Sequence, residues 1–113
     1  MKGLTAAAAA QEAIAVLQSS ASQKEKADAC RELARVGTKE SVRYLAPLLA
    51  NEKLSHMARY AMETIPDSSV DKAFRESLDT LQGRLLVGVI GSVGVRRDTK
   101  AVKQLGKFLL SSD

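Results

Sequence analysis

The sequence predicts an all-α chain of stacked helical hairpins, about three antiparallel pairs behind one leading helix, forming a single domain over residues 1–113. Three observations carry this. Apolar residues recur at the i, i+3, i+4, i+7 spacing of one helical face, most plainly at Ala58, Ala61, Met62 and Ile65. The apolar content is Ala, Leu and Val with only 4% aromatic residues, which favours close-packed helices over a sheet. Finally, the turn residues Gly37, Pro66 and Gly94 fall 29 and then 28 positions apart, and Val42, Val70 and Val102 each open the helix that follows. Self-similarity at such a period marks hairpins that cannot bury their own faces without a neighbour. A compact antiparallel bundle is the competing arrangement, and it predicts no equivalence between the turns.

Each element has its own local reason. Thr5 to Leu17 is helix-forming, with Ala10, Ala13, Ile14 and Leu17 on one face. Ser22 followed by Glu25 fits a capping box and opens a helix that Gly37 closes. Thr38 can cap the next helix, whose apolar positions are Val42, Leu45, Ala46, Leu48 and Leu49; Pro47 predicts a kink or a late start within it. Pro66 stops the helix that carries Met62 and Ile65, because its ring disfavours α geometry in the residue before it. Ser68, with Asp71 three residues on, is the expected cap of the helix bearing Val70, Ala73, Phe74, Leu78 and Leu81, and Gly83 is expected to end it. Leu85 to Val93 forms a more apolar helix containing Gly88 and Gly91, expected to allow close approach of a neighbour. After a basic turn from Gly94 to Asp98, the last helix presents Val102, Leu105, Phe108 and Leu109.

The pattern Ala29-Cys30-x-x-Leu33-Ala34-x-x-Gly37, then Val42-x-x-Leu45-x-x-Leu48-Leu49, Asn51-Glu52 and Ala58-Arg59-x-Ala61-Met62 resembles HEAT repeats. The period of about 30 is similar to the PBS-lyase-like subclass. The resemblance covers roughly residues 22 to 113. It implies an α-solenoid, or superhelix, with the second helix of each pair on the concave side. It also implies an interaction scaffold; no residue carries a lyase assignment. The Arg96-Arg97-Asp98 turn and the glycines of the third unit depart from the pattern.

Enzymatic and cofactor chemistry find little support. His56 stands alone, without the further ligands a zinc site needs or the partners a general base needs. Asp71 and Asp79 flank Arg75 at i, i+4, and Lys72 precedes Glu76 likewise, the expected charge lacing of a solvated face. The stretch around Gly88 and Gly91 lacks a P-loop lysine. Cys30, the single cysteine, excludes an internal disulfide and reads as a small buried residue. No apolar run approaches the roughly 20 residues of a membrane span. Lys2 and the alanines that follow resemble an export signal only superficially, since Gln11 and Glu12 interrupt them.

Charge is the feature with functional content. Residues 1 to 83 carry eleven Lys/Arg against eleven Asp/Glu, so the whole excess of +4 lies beyond them. Lys100, Lys103 and Lys107 follow one face of the last helix behind Arg96 and Arg97, and Lys39 and Arg43 hold a similar face of the first repeat. The expected function is non-catalytic: a scaffold that binds a protein partner through a concave face using Lys39, Arg43, Lys72, Arg75, Lys100, Lys103 and Lys107. The alternative is phosphate-backbone binding of nucleic acid through Arg96, Arg97 and the terminal lysines. Against the latter, Asp71 and Asp79 interrupt the stripe and no aromatics stand ready to stack bases. An accessory role beside a bilin lyase is a third reading, and it needs a pigment partner. No cofactor or metal is expected. A cytoplasmic location is favoured, with export open if the chain is a piece of a longer array. The apolar end at Phe108, Leu109 and Leu110 leaves a monomer or weak self-association through the terminal helices.

Overall fold

The computed structural model describes residues 5–110, with side chains through Phe108. Lys2, the side chains of Leu109 and Leu110, and residues 111–113 lie outside the described part. The helices are α1 (Ala6–Leu17), α2 (Gln23–Val36), α3 (Lys39–Leu45), α4 (Ser55–Thr64), α5 (Ser68–Leu78), α6 (Gly83–Arg96) and α7 (Val102–Leu110). Short 3₁₀ segments at Ala46–Ala50 and Thr99–Ala101 complete the list, and there is no strand among the described residues.

Capping explains most of the starts. The Thr5 hydroxyl accepts from the Ala8 amide at 3.0 Å. Ser22 and Glu25 form a full capping box, each side chain accepting the other's backbone N–H, at 3.1 and 2.9 Å. At α3 only the return half is made: the Ser41 hydroxyl, fully buried, accepts from the Thr38 amide at 3.1 Å. Pro47 acts as expected, ending α-geometry at Leu45 and turning the chain into a 3₁₀ segment. Asn51 then folds the turn, its side-chain oxygen accepting from the Lys53 and Leu54 amides. Ile65, held extended before Pro66, closes α4.

Helices α2, α4 and α6 pack against one another in succession, while α1, α3 and α5 form a second series of contacts. One apolar core runs between them. Leu33, Leu45, Leu49, Met62, Ile65, Val70, Phe74, Val89 and Val93 are its fully enclosed large side chains. Each such side chain contributes about 1.5–3 kcal/mol by leaving water. The molecule measures 59 × 26 × 16 Å.

Several local expectations are corrected. Asp67, not Ser68, caps α5, its carboxylate accepting from the Ser69 amide at 2.9 Å. That helix ends at Leu78, so Leu81 packs from a turn, and Gly83 opens α6 instead of closing α5. Gly83 has φ +59, a left-handed geometry that a Cβ disfavours, which is why glycine stands there. Gly94 lies inside α6, and the turn falls at Arg97 and Asp98. With the turn displaced, Val102 is 64% exposed, and Ala101 is buried there as Val42 is in α3 and Val70 in α5.

Candidate functional site

The charged side chains of α3, α5 and α7 meet along one face. A groove of about 410 Å³ between α5 and α7 is lined by Lys72, Arg75, Glu76, Asp79, Lys100, Lys103, Gln104 and Lys107. A second, of about 290 Å³ between α3 and α5, is lined by Lys39, Val42, Arg43, Ala46, Ser69, Lys72, Ala73 and Glu76. Lys72 and Glu76 line both, so the two grooves adjoin along α5. Seven of the nine basic residues singled out from sequence are therefore brought together. Among the described residues, Lys39, Arg43, Lys72, Lys100, Lys103 and Lys107 form no ion pair. Only Glu76 and Asp79 oppose them within the grooves. Arg43 leans over the half-buried Tyr44 ring, 5.3 Å from its centroid, which fixes one end of the stripe.

Arg75 lines the groove but is not free. It is paired with Asp98, whose side chain is only 7% exposed, and its carbonyl accepts from Gln104 at 2.8 Å. These two contacts dock α7 onto α5. The lacing of Asp71, Arg75 and Asp79 along one helix is thereby corrected: the long-range partners win because they are partly buried, where charge–charge attraction is less screened.

Arg96 leaves the stripe altogether. Its side chain is 13% exposed and grips Asp71 through Nε at 2.9 Å and Nη2 at 3.0 Å. The same guanidinium donates to the carbonyls of Glu63 at 3.3 Å, Ile65 at 2.5 Å and Asp67 at 3.0 Å. The hydrogen bonds it donates to the Asp71 carboxylate hold the Arg96 guanidinium above its ordinary range, so it is a permanent cation. Its five bonds give it a structural role. With Asp71 withdrawn, the interruption at the middle of the stripe is made by Glu76 and Asp79 instead of Asp71 and Asp79. Arg97 is exposed in the left-handed region, φ +54, and lines a different surface with Val93, Val102 and Leu105.

A second polar cluster, not anticipated from sequence, joins α4 to α6. Arg59 Nη1 donates to the Gly88 carbonyl at 3.2 Å and to Ser92 Oγ at 3.3 Å, and the Ser92 hydroxyl donates to Glu63 at 2.7 Å. A Cβ on Gly88 would stand 2.7 Å from the Arg59 guanidinium, so the close approach expected of this glycine is made by an arginine side chain of the neighbouring helix α4. Gly91 has open space where a Cβ would go, and the expectation of close packing does not hold there. The only sequence signal was the Ala-Arg step after the Asn51 turn.

His56 is exposed beside Arg59 and Tyr60, at 3.3 Å from one and 6.1 Å between ring centres from the other. Cys30 is fully enclosed, and burial pushes its thiol up to about 11. Among the described residues no cluster of three or more His, Cys, Asp or Glu side chains is placed to hold a metal ion. No described helix is long and apolar enough to cross a membrane. No protein-family model, curated protein or solved structure matches the chain.

Proposed function

We propose that the chain is a non-catalytic scaffold, an α-solenoid of HEAT-like helix pairs whose α3–α5–α7 face holds an acidic segment of a protein partner. The observation that carries this is the pair of adjoining grooves in which six cations outside any ion pair face two carboxylates. The successive packing of α2, α4 and α6 against one another, with α1, α3 and α5 as a second series, supports the solenoid arrangement.

A groove of this charge draws anionic ligands by long-range attraction and then selects by register. Glu76 and Asp79 favour a polypeptide over a phosphate backbone. A peptide places carboxylates and neutral residues in alternation, whereas a polyphosphate presents a charge at every step and meets repulsion at both positions. No Phe, Tyr or Trp lines either groove to stack a base.

The test is titration of a Glu/Asp-rich peptide and of random duplex DNA at low and moderate salt, comparing wild type with Lys72→Glu/Lys103→Glu. The expected result is peptide binding abolished by the double charge reversal. Duplex binding that is tighter than peptide binding and collapses with salt would transfer the groove to nucleic acid. Binding of neither ligand would remove the groove as a docking site.

A further inference from the structure

A pocket away from the basic groove lies between the N-terminal turns of α4 and α6. Its volume is about 290 Å³, and Glu52, Ser55, His56, Arg59, Arg84 and Leu85 line it. That is just below the roughly 300–1,000 Å³ usual for drug-sized ligands, a size for one small group. Ser55 is 4% exposed, yet its hydroxyl has no hydrogen-bond partner among the described residues. The buried Nε of Arg59, one helical turn further on, likewise has none. Buried polar atoms are almost always paired, so two unpaired donors beside one pocket point to a ligand that pairs them.

The surrounding charge gives the sign of that ligand. Arg59 is anchored by its Nη1 bonds to Gly88 and Ser92, which leaves Nε directed by a fixed guanidinium rather than by a mobile one. Arg84 reaches the rim, held only by an exposed pair with Glu52 at 3.2 Å that a stronger anion can displace. Helix α4 starts at Ser55, and its N-cap residue Leu54 has no side-chain acceptor, so the positive end of the helix also faces this region. We propose that this pocket binds a phosphate-class oxyanion, either inorganic phosphate or a phosphomonoester group, through Ser55 Oγ, Arg59 Nε and Arg84. A dianion answers both arginines, and its tetrahedral oxygens suit donors converging from two helices. The proposal is independent of the groove's assignment, since the two sites share no residue.

The experiment measures binding and unfolding temperature in sodium phosphate against sodium chloride of equal ionic strength. Ser55→Ala deletes an unpartnered buried hydroxyl and so folds as the wild type does. Phosphate is expected to raise the unfolding temperature of the wild type more than chloride does, with affinity falling about tenfold in Ser55→Ala and in Arg84→Ala, as loss of a hydrogen bond to a charged group implies. Lys72→Ala/Lys103→Ala is expected to leave the response intact. O-phosphoserine in place of inorganic phosphate separates the two sources: tighter binding assigns the site to a phosphomonoester, equal or weaker binding to the free ion. The proposal is overturned if phosphate does no more than chloride, if Ser55→Ala binds as the wild type does, or if the response follows the lysines instead.

Discussion

Replacing Arg96 with alanine tests the division between structural and binding arginines most directly. The side chain is 13% exposed and makes five hydrogen bonds, two to the carboxylate of Asp71 and three to carbonyls around Pro66. Removing one partner of a buried ion pair costs about 3–5 kcal/mol, because the other is left desolvated and alone. Asp71 keeps 20% side-chain exposure and water reaches it once Arg96 is gone, so the low end applies, about 3 kcal/mol. Against a typical total of roughly 5–15 kcal/mol this is a large fraction, and it lowers the melting temperature by on the order of 10 °C. Urea unfolding followed by circular dichroism reads it as a fall in midpoint at unchanged slope. The paired control is Arg97→Gly, which relieves a left-handed φ of +54 and is expected to be neutral or stabilising by up to about 1 kcal/mol. If Arg96→Ala stays within about 0.5 kcal/mol of wild type, the guanidinium is not the fastener described here and belongs back among the surface cations.

Two further outcomes follow from the same geometry. Gly91→Ala, with open space at the Cβ position, is expected to gain about 0.5–1 kcal/mol of helix propensity, whereas Gly88→Ala gains nothing, because its methyl displaces Arg59; parallel thermal melts compare them. Hydrogen bonds from the Ser69 hydroxyl and then from its amide hold the Asp67 carboxyl below the usual carboxylate range. Its folded-state pKa being depressed, the cap's contribution is present above about pH 4 and fades as pH falls through the folded value. Stability measured between pH 6 and 2 is therefore expected to fall less steeply in Asp67→Asn than in wild type, and an identical acid limb would show that Asp67 does not contribute.

Periodicity and capping made the helices legible. The Ser22–Glu25 box, the Pro47 and Pro66 breaks and the buried faces of α2, α4 and α5 all follow from residues within one or two turns of each other. What local pattern could not reveal were the partners of long side chains. Asp71 and Arg75 sit at an ideal i, i+4 spacing, yet each is claimed by a residue more than twenty positions away. An exposed pair within one helix is worth only tenths of a kcal/mol, so any semi-buried competitor wins. Gly83 and Gly94 misled for a related reason. A glycine marks a backbone need, and an open space, a close contact or a positive φ all leave the same letter. The stripe itself was visible as helical spacing, but which carboxylates of α5 stand in it depended on Asp71 being drawn away to Arg96.

The two contacts along the α2–α4–α6 series differ in what holds them. Helix α2 packs on α4, their buried apolar residues being Ala29, Cys30, Leu33, Ala58, Ala61 and Met62, with one long-range hydroxyl bond, Thr64 to the Ala34 carbonyl. Where α6 and the turn after it meet α4, α5 and the Asn51 turn, Arg59, Arg75, Arg84 and Arg96 all reach across. Apolar burial weakens on cooling, whereas charge-assisted bonds do not depend on it. Chilled, the molecule loosens first at its oily joint, and amides of α1 and α2 exchange before those of α5 and α6; warmed, that order has no reason to persist.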